Sequence, residues 1–168
     1  SDNFLMGGID AFTGERGLTE NVITRAVGPV AEVARDYRSR RLRWVVIGDA
    51  NYGEGSSREH AALSPRLLGG AAIIARSFAR IHEQNLKKQG LLALTFMDPA
   101  DYELVSRDDR LSLLDLAGLA PGRPVTCRLG RPDGSARTIQ LAHSYTESQL
   151  AWFRAGSALN AARIRAGA

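Results

Sequence analysis

Between Gly48 and His60 the chain reads Gly-Asp-Ala-Asn-Tyr-Gly-Glu-Gly-Ser-Ser-Arg-Glu-His, the densest set of groups in the sequence that could act on an anion. Gly53 and Gly55 carry no side chains, so main-chain N–H groups can come close to a ligand. Ser56 and Ser57 supply hydroxyls, and Arg58 supplies a planar guanidinium that can grip a carboxylate through parallel hydrogen bonds. An apolar run precedes the stretch and a helix-like segment follows it. Where a strand feeds a helix start, free N–H groups and the helix dipole together favour negative charge. Residue types and spacing thus describe a cradle for a carboxylate or a phosphate. A plainer reading uses the same residues: Ser56-x-x-Glu59 is also a capping box, which satisfies backbone N–H groups at a helix start and needs no ligand. No Lys follows the glycines as in a nucleotide-binding P-loop, and the stretch lacks the Gly-x-Ser-x-Gly of a hydrolase elbow.

The elements that must hold this loop follow from the apolar pattern. Leu42 to Gly48 is a near-continuous, β-branched apolar run, which predicts a strand covered on both faces. Ala71–Ala75 and Leu91–Phe96 predict two more strands. Between them lie a helix opening at Arg58, which Pro65 should shorten or kink, and a helix over Arg80–Gln89 that stops at Gly90. Upstream, Val30, Val33, Ala34 and Tyr37 fall on one helical face within Pro29–Arg40, whereas the Gly- and Thr-rich residues before them read as irregular. Further on, Pro124–Leu129 and Arg137–Leu141 flank Arg131-Pro132-Asp133-Gly134 and predict a β-hairpin. Thr146 to Arg165 reads as helix, with Thr146-x-x-Gln149 as its cap and Gly156 as an interruption. Strands alternating with helices in this way predict an α/β fold, in one unit spanning residues 1–168.

Composition narrows the function classes. With 44% hydrophobic residues the chain can bury a core, and it holds no run of about 18 apolar residues of the kind that crosses a membrane. The single Cys127 has no internal disulfide partner, and no Cys-x-x-Cys or His-rich tract offers a metal site within this chain, which suits a reducing compartment. A net charge of +4 suits nucleic acid, acidic membranes or an anionic small molecule equally. The densest basic run, Arg38 to Arg43, is short and reads as a solvated helix end rather than a nucleic-acid patch. His60 and His82 read as packed structural histidines, and Cys127 as a small buried apolar residue. Asn85, Lys87 and Lys88 could reach the loop's cleft, although a helix C-terminus accounts for the lysines.

Taken as a string, Asn51 to Leu63 resembles the signature of the aconitase family, and so do Ser77–Glu83, Asn85–Leu92 and Trp152–Asn160. The blocks come in the family's order and span nearly the whole chain. Small subunits of isopropylmalate isomerases share the Gly-Ser-Ser-Arg-Glu-His core but not usually the Arg80–Glu83 or Trp152–Asn160 wording. The resemblance implies a C-terminal swivelling β/β/α domain with a mixed sheet or barrel-like core, flanking helices and a C-terminal helix. It implies a hydro-lyase that interconverts citrate and isocitrate, in which Ser56 is the base and Ser57 and Arg58 bind the tricarboxylic acid, with Gly53 and Gly55 supporting the loop. It implies a 4Fe-4S cluster whose ligands lie in other domains, fused or separate, so that this chain alone would bind no cofactor and would be inactive. The compartment it implies is the bacterial cytoplasm or the mitochondrial matrix. RNA binding, known among relatives of this family, and an isopropylmalate- or homoaconitate-type small subunit are the alternatives. Ala93, where the family usually has Pro, and Ala50, where an acidic residue is frequent, are departures that touch none of the proposed chemistry.

Overall fold

The computed structural model describes residues 4–55 and 58–167. Two short strands, β1 (Leu18–Glu20) and β2 (Val27–Pro29), pair antiparallel in a segment the sequence reading left irregular. Their turn is organised by Asn21, whose Oδ1 accepts from the N–H groups of Ile23 and Thr24 at 2.9 and 3.2 Å. Strands of three residues are too short to display a period, so the side-chain turn rather than hydrophobic patterning builds this hairpin. The predicted first helix follows as α1 (Val30–Ser39), burying Ala31, Val33 and Ala34.

The main sheet is mixed and has six strands. β3 (Trp44–Gly48), β4 (Gly70–Ala75) and β5 (Leu92–Phe96) run parallel, joined by α2 (Glu59–Leu67) and α3 (Arg80–Lys88). β6 (Arg110–Leu114), β7 (Val125–Gly130) and β8 (Ala136–Ala142) add antiparallel, giving the order β3-β4-β5-β8-β7-β6. The predicted hairpin is β7–β8, closed by a turn in which Gly134 donates to the carbonyl of Arg131 at 3.0 Å. β6 and the 3-10 turns on either side of it, Pro99–Leu104 and Leu116–Gly118, occupy a stretch for which sequence reading assigned no element.

Alternation decides which side chains meet. Ala72, Ile74, Leu92, Leu94 and Phe96 lie on one face of the parallel half, with Cys127, Leu129, Ile139 and Leu141 from the antiparallel half in the same cluster. Val45 and Ile47 of β3 and Leu111 and Leu113 of β6 also pack against it, although β3 and β6 share no ladder among the described residues. The sheet therefore curls around its core without closing, which reconciles the expected mixed sheet with the expected barrel-like interior. On the opposite face Ile73 and Ala93 pack with Ala62 of α2 and Leu86 of α3, while α1 packs beside Trp44, Val46 and Leu68. At roughly 25 cal/mol per Å² of apolar surface removed from water, these two-sided contacts are what hold the parallel strands.

The C-terminal segment folds as α4 (Glu147–Ala155) and α5 (Ala158–Arg165). Thr146 and Gln149 form the predicted capping box, and Gly156 ends α4 in the left-handed region at φ 89°. β8 pairs with β5 only at Thr95 and Phe96, and beyond that point Tyr145 takes over. Its Oη accepts from Ala93 N at 3.1 Å and donates to Leu91 O at 2.8 Å. A proline at position 93 would have no N–H to give, so the departure at Ala93 gains one buried hydrogen bond. Among the described residues no helix is long and apolar enough to cross a membrane.

Candidate functional site

The Gly-rich loop leaves the C-terminal end of β3 and enters α2, at the edge of a parallel sheet where open α/β folds place their ligands. A second connection, residues 76–79 after β4, runs alongside and holds it. Gly48 O accepts from Arg76 N at 3.2 Å. Asn51 N donates to Ser77 Oγ at 2.7 Å, Tyr52 N to Ser77 O at 2.9 Å, and Ala79 N to Tyr52 O at 2.9 Å. Asn51 itself sits in the left-handed region, φ 57°, a conformation that asparagine tolerates better than most residues.

Arg76 binds three connections together. Its guanidinium donates to Asp49 Oδ1 at 3.2 Å and Glu103 Oε1 at 2.7 Å, its Nε donates to Pro99 O at 3.3 Å, and its Cζ lies 4.4 Å from the Tyr102 ring centre. The loops following β3, β4 and β5 are thereby tied by one partly buried cation. Beneath the Gly-rich loop, half-buried Tyr52 meets Phe78 edge-on at 6.0 Å and His82 at 5.6 Å, and burial pushes its phenol well above the ordinary range. These contacts make Tyr52 a packing residue. Sequence reasoning did not single out Arg76, Ser77 or Tyr52, since their role arises from the pairing of two loops remote in sequence.

The predicted site residues fare differently. Ser56 and Ser57 lie outside the described residues. Arg58 is exposed, stands at the N-cap of α2 with extended backbone, and makes no side-chain capping bond. Among the described residues nothing pairs with its guanidinium, which leaves the fork available to an anion. Gly53 and Gly55 both have positive φ, 87° and 76°, but for different surroundings. A Cβ at Gly55 would meet nothing within 4 Å, whereas one at Gly53 would stand 2.3 Å from the His82 ring. The absent side chain at Gly53 is accounted for by His82, a neighbour within the fold.

Three readings need correction. The capping box Ser56-x-x-Glu59 requires the helix to begin two residues earlier than it does. With Arg58 at the N-cap, Glu59 is the first helical residue, and its Oε1 instead accepts from Gln89 Nε2 at 2.9 Å. His60 is exposed, not packed, while His82 is 4% exposed as a buried histidine should be. Lys87 does not reach the cleft: it is buried, donates to Ser144 O at 3.1 Å and Ser144 Oγ at 2.7 Å, and pairs with Glu83 Oε1 at 3.1 Å. It ties α3 to the approach of α4.

A resident metal cluster finds no ligand set among the described residues. Cys127 is fully buried in β7, and burial pushes its thiol up to about 11, the reverse of what a thiolate ligand needs. Among the described residues no three His, Cys, Asp or Glu side chains converge. The residues present do not fit an iron-sulfur group.

Comparison with known proteins bears on the whole chain. The family model for the aconitase C-terminal domain matches residues 2–99. The mitochondrial aconitate hydratase of Gracilaria gracilis is 53% identical over 167 residues, covering 99% of this chain and 21% of that protein. That of Saccharomyces cerevisiae is 54% identical over 160 residues, covering 95% of this chain and again 21% of the relative. The chain thus spans about a fifth of the length of the curated relatives it matches. Among solved structures, a 3-isopropylmalate dehydratase from Methanocaldococcus jannaschii superposes with a TM-score of 0.53 at 20% identity, over 81% of this chain and 78% of that one.

Proposed function

Because the chain belongs to the aconitase C-terminal domain family, we propose that it is the substrate-binding, base-bearing domain of an aconitate hydratase, interconverting citrate and isocitrate through cis-aconitate. The observation that carries this reading is identity of 53–54% to aconitate hydratases along 95–99% of the chain. The likeness to an isopropylmalate dehydratase, at 20% identity, speaks for the fold and not for its substrate.

In this reading Ser56 Oγ removes the proton from the carbon beside a substrate carboxylate, and the electron pair left on that carbon forms the double bond as hydroxide departs. A serine can act as base only where fixed dipoles and a cation stabilise its alkoxide away from water. Arg58, with no protein partner among the described residues, supplies that cation and grips a carboxylate, and Ser57 donates beside it. Gly53 and Gly55 give the loop its left-handed turns, and the start of α2 contributes its N–H groups. The described residues offer an iron-sulfur cluster no ligand set, so its share of the reaction lies with domains outside this chain. Those domains, fused or separate, and a tricarboxylic acid are the proposed partners. Relatives named as mitochondrial support the matrix as the compartment.

The test is turnover by the purified full-length enzyme. Citrate and isocitrate should both yield cis-aconitate, and 3-isopropylmalate should yield far less product. Preference for 3-isopropylmalate would overturn the reading in favour of the isomerase family.

A further inference from the structure

We infer that His82 is a positioning residue whose buried imidazole seats the Gly53 turn and thereby sets the course of the Gly-rich loop toward Arg58 at the start of α2. This rests on the reading that the loop carries the base and the carboxylate-binding arginine. His82 belongs to the first turn of α3 and is 4% exposed, although its neighbours Arg80 and Ile81 face solvent. A Cβ at Gly53 would stand 2.3 Å from both Cγ and Cδ2 of His82 and 2.5 Å from its Cβ. The loop backbone therefore lies directly on the ring, with no room for a methyl group.

Neighbouring contacts show why this one matters for placement. Backbone bonds to Ser77 and Ala79 hold the loop at Asn51 and Tyr52, and the Tyr52 ring packs 5.6 Å from His82. At Gly55, by contrast, a Cβ would meet nothing within 4 Å. The ring stands on a helix whose Leu86 is fully buried in the same cluster as Ala62 of α2. One core thus supports both the floor of the loop and the helix into which it runs. Displacing a reacting group by about 1 Å can cost on the order of a hundredfold in rate, so a seat this close can act on chemistry without touching substrate.

The test is a bump-and-hole cycle in the full-length enzyme with Gly53→Ala, His82→Ala and the double variant, each checked by thermal unfolding. Gly53→Ala should lower kcat on the order of a hundredfold with a smaller change in KM, because the loop is lifted off its seat. His82→Ala should also lower kcat. The His82→Ala background removes the clashes with Cγ and Cδ2 and leaves only the one with the retained Cβ, so adding Gly53→Ala should cost about tenfold less than it does in the wild type. The positive φ at Gly53 penalises both backgrounds alike and drops out of the comparison. Independent, multiplying losses, or unchanged kcat for His82→Ala, would overturn the seating role. Should Gly53→Ala fail to fold, recovery of a folded protein in the double variant supports the seat, and failure of both overturns it. If the wild-type enzyme shows no aconitate hydratase turnover, the proposed function falls, and the same coupling read in unfolding midpoints still decides the seat.

Discussion

Arg58 stands at the N-cap of α2 without a side-chain capping bond, and nothing among the described residues pairs with its guanidinium. Arg58→Lys keeps the charge and loses the fork. With a charge-assisted hydrogen bond worth about 1.5–3 kcal/mol, KM for citrate should rise about tenfold or more, with a smaller loss of kcat. Steady-state kinetics of the full-length enzyme check this, and unchanged constants would mean the side chain points elsewhere. Ser56 separates two roles on the same grounds. Since the helix begins at Glu59, Ser56 is not at its N-cap, and Ser56→Ala should shift unfolding free energy by no more than about 0.5 kcal/mol. The same substitution should cut kcat by orders of magnitude, because the lost interaction belongs to the transition state. A denaturant melt and a kinetic assay on one preparation suffice, and retained turnover would send the search for a base elsewhere. At this scale the sequence named Arg58 and both glycines. It could not reveal that Gly53 is dictated by His82, since that contact joins residues twenty-nine positions apart.

At the scale of elements, two four-residue motifs of one type had opposite outcomes. Thr146-x-x-Gln149 is a true capping box, with Gln149 N donating to Thr146 Oγ1 at 3.4 Å and Thr146 N to Gln149 Oε1 at 3.1 Å. Ser56-x-x-Glu59 is not one, because a motif does not say where the helix starts and Gln89 competes for the Glu59 carboxylate. The apolar strands β3, β4 and β5 were legible because each is covered on both faces and so reads as a continuous run. Edge strand β6 alternates exposed and half-buried residues over only five positions, a weaker signal. Glycine at the end of α3 was foreseen as a stop, yet its closest constraint is tertiary: a Cβ on Gly90, already at φ 75°, would lie 2.0 Å from Gly156 O. Gly90→Ala should therefore cost about 2–5 kcal/mol, left-handed strain plus overpacking, against about 1 kcal/mol for Thr146→Ala. Chemical denaturation of the two variants ranks them, and an equal cost would mean α4 and α5 yield freely to the added methyl.

For the whole molecule, the proposed function divides the work between this chain and other domains. Arg25, Arg40, Arg76, Arg107, Arg123 and Arg154 each have a carboxylate within 4 Å, which pairs off part of this chain's positive charge. Arg58, exposed at the start of α2, stands beside the loop at the strand ends. In the proposed reading that is half of a dehydration site, since the loop would take the proton but hydroxide is a poor leaving group without help. The described residues bring no converging donor set to hold an assisting metal, and Cys127 is sealed in the sheet. The purified 168-residue chain should consequently show no measurable conversion of citrate to isocitrate. Circular dichroism of the same sample should show helix and strand together, because the two-sided core of β3, β4 and β5 is formed from this chain's own residues. Adding the remaining domains as a separate polypeptide should restore turnover, and Arg58→Lys in the added chain should weaken that restoration. Turnover by the isolated chain, freed of contaminating enzyme, would show that the leaving hydroxyl is activated from within these residues and would overturn the division.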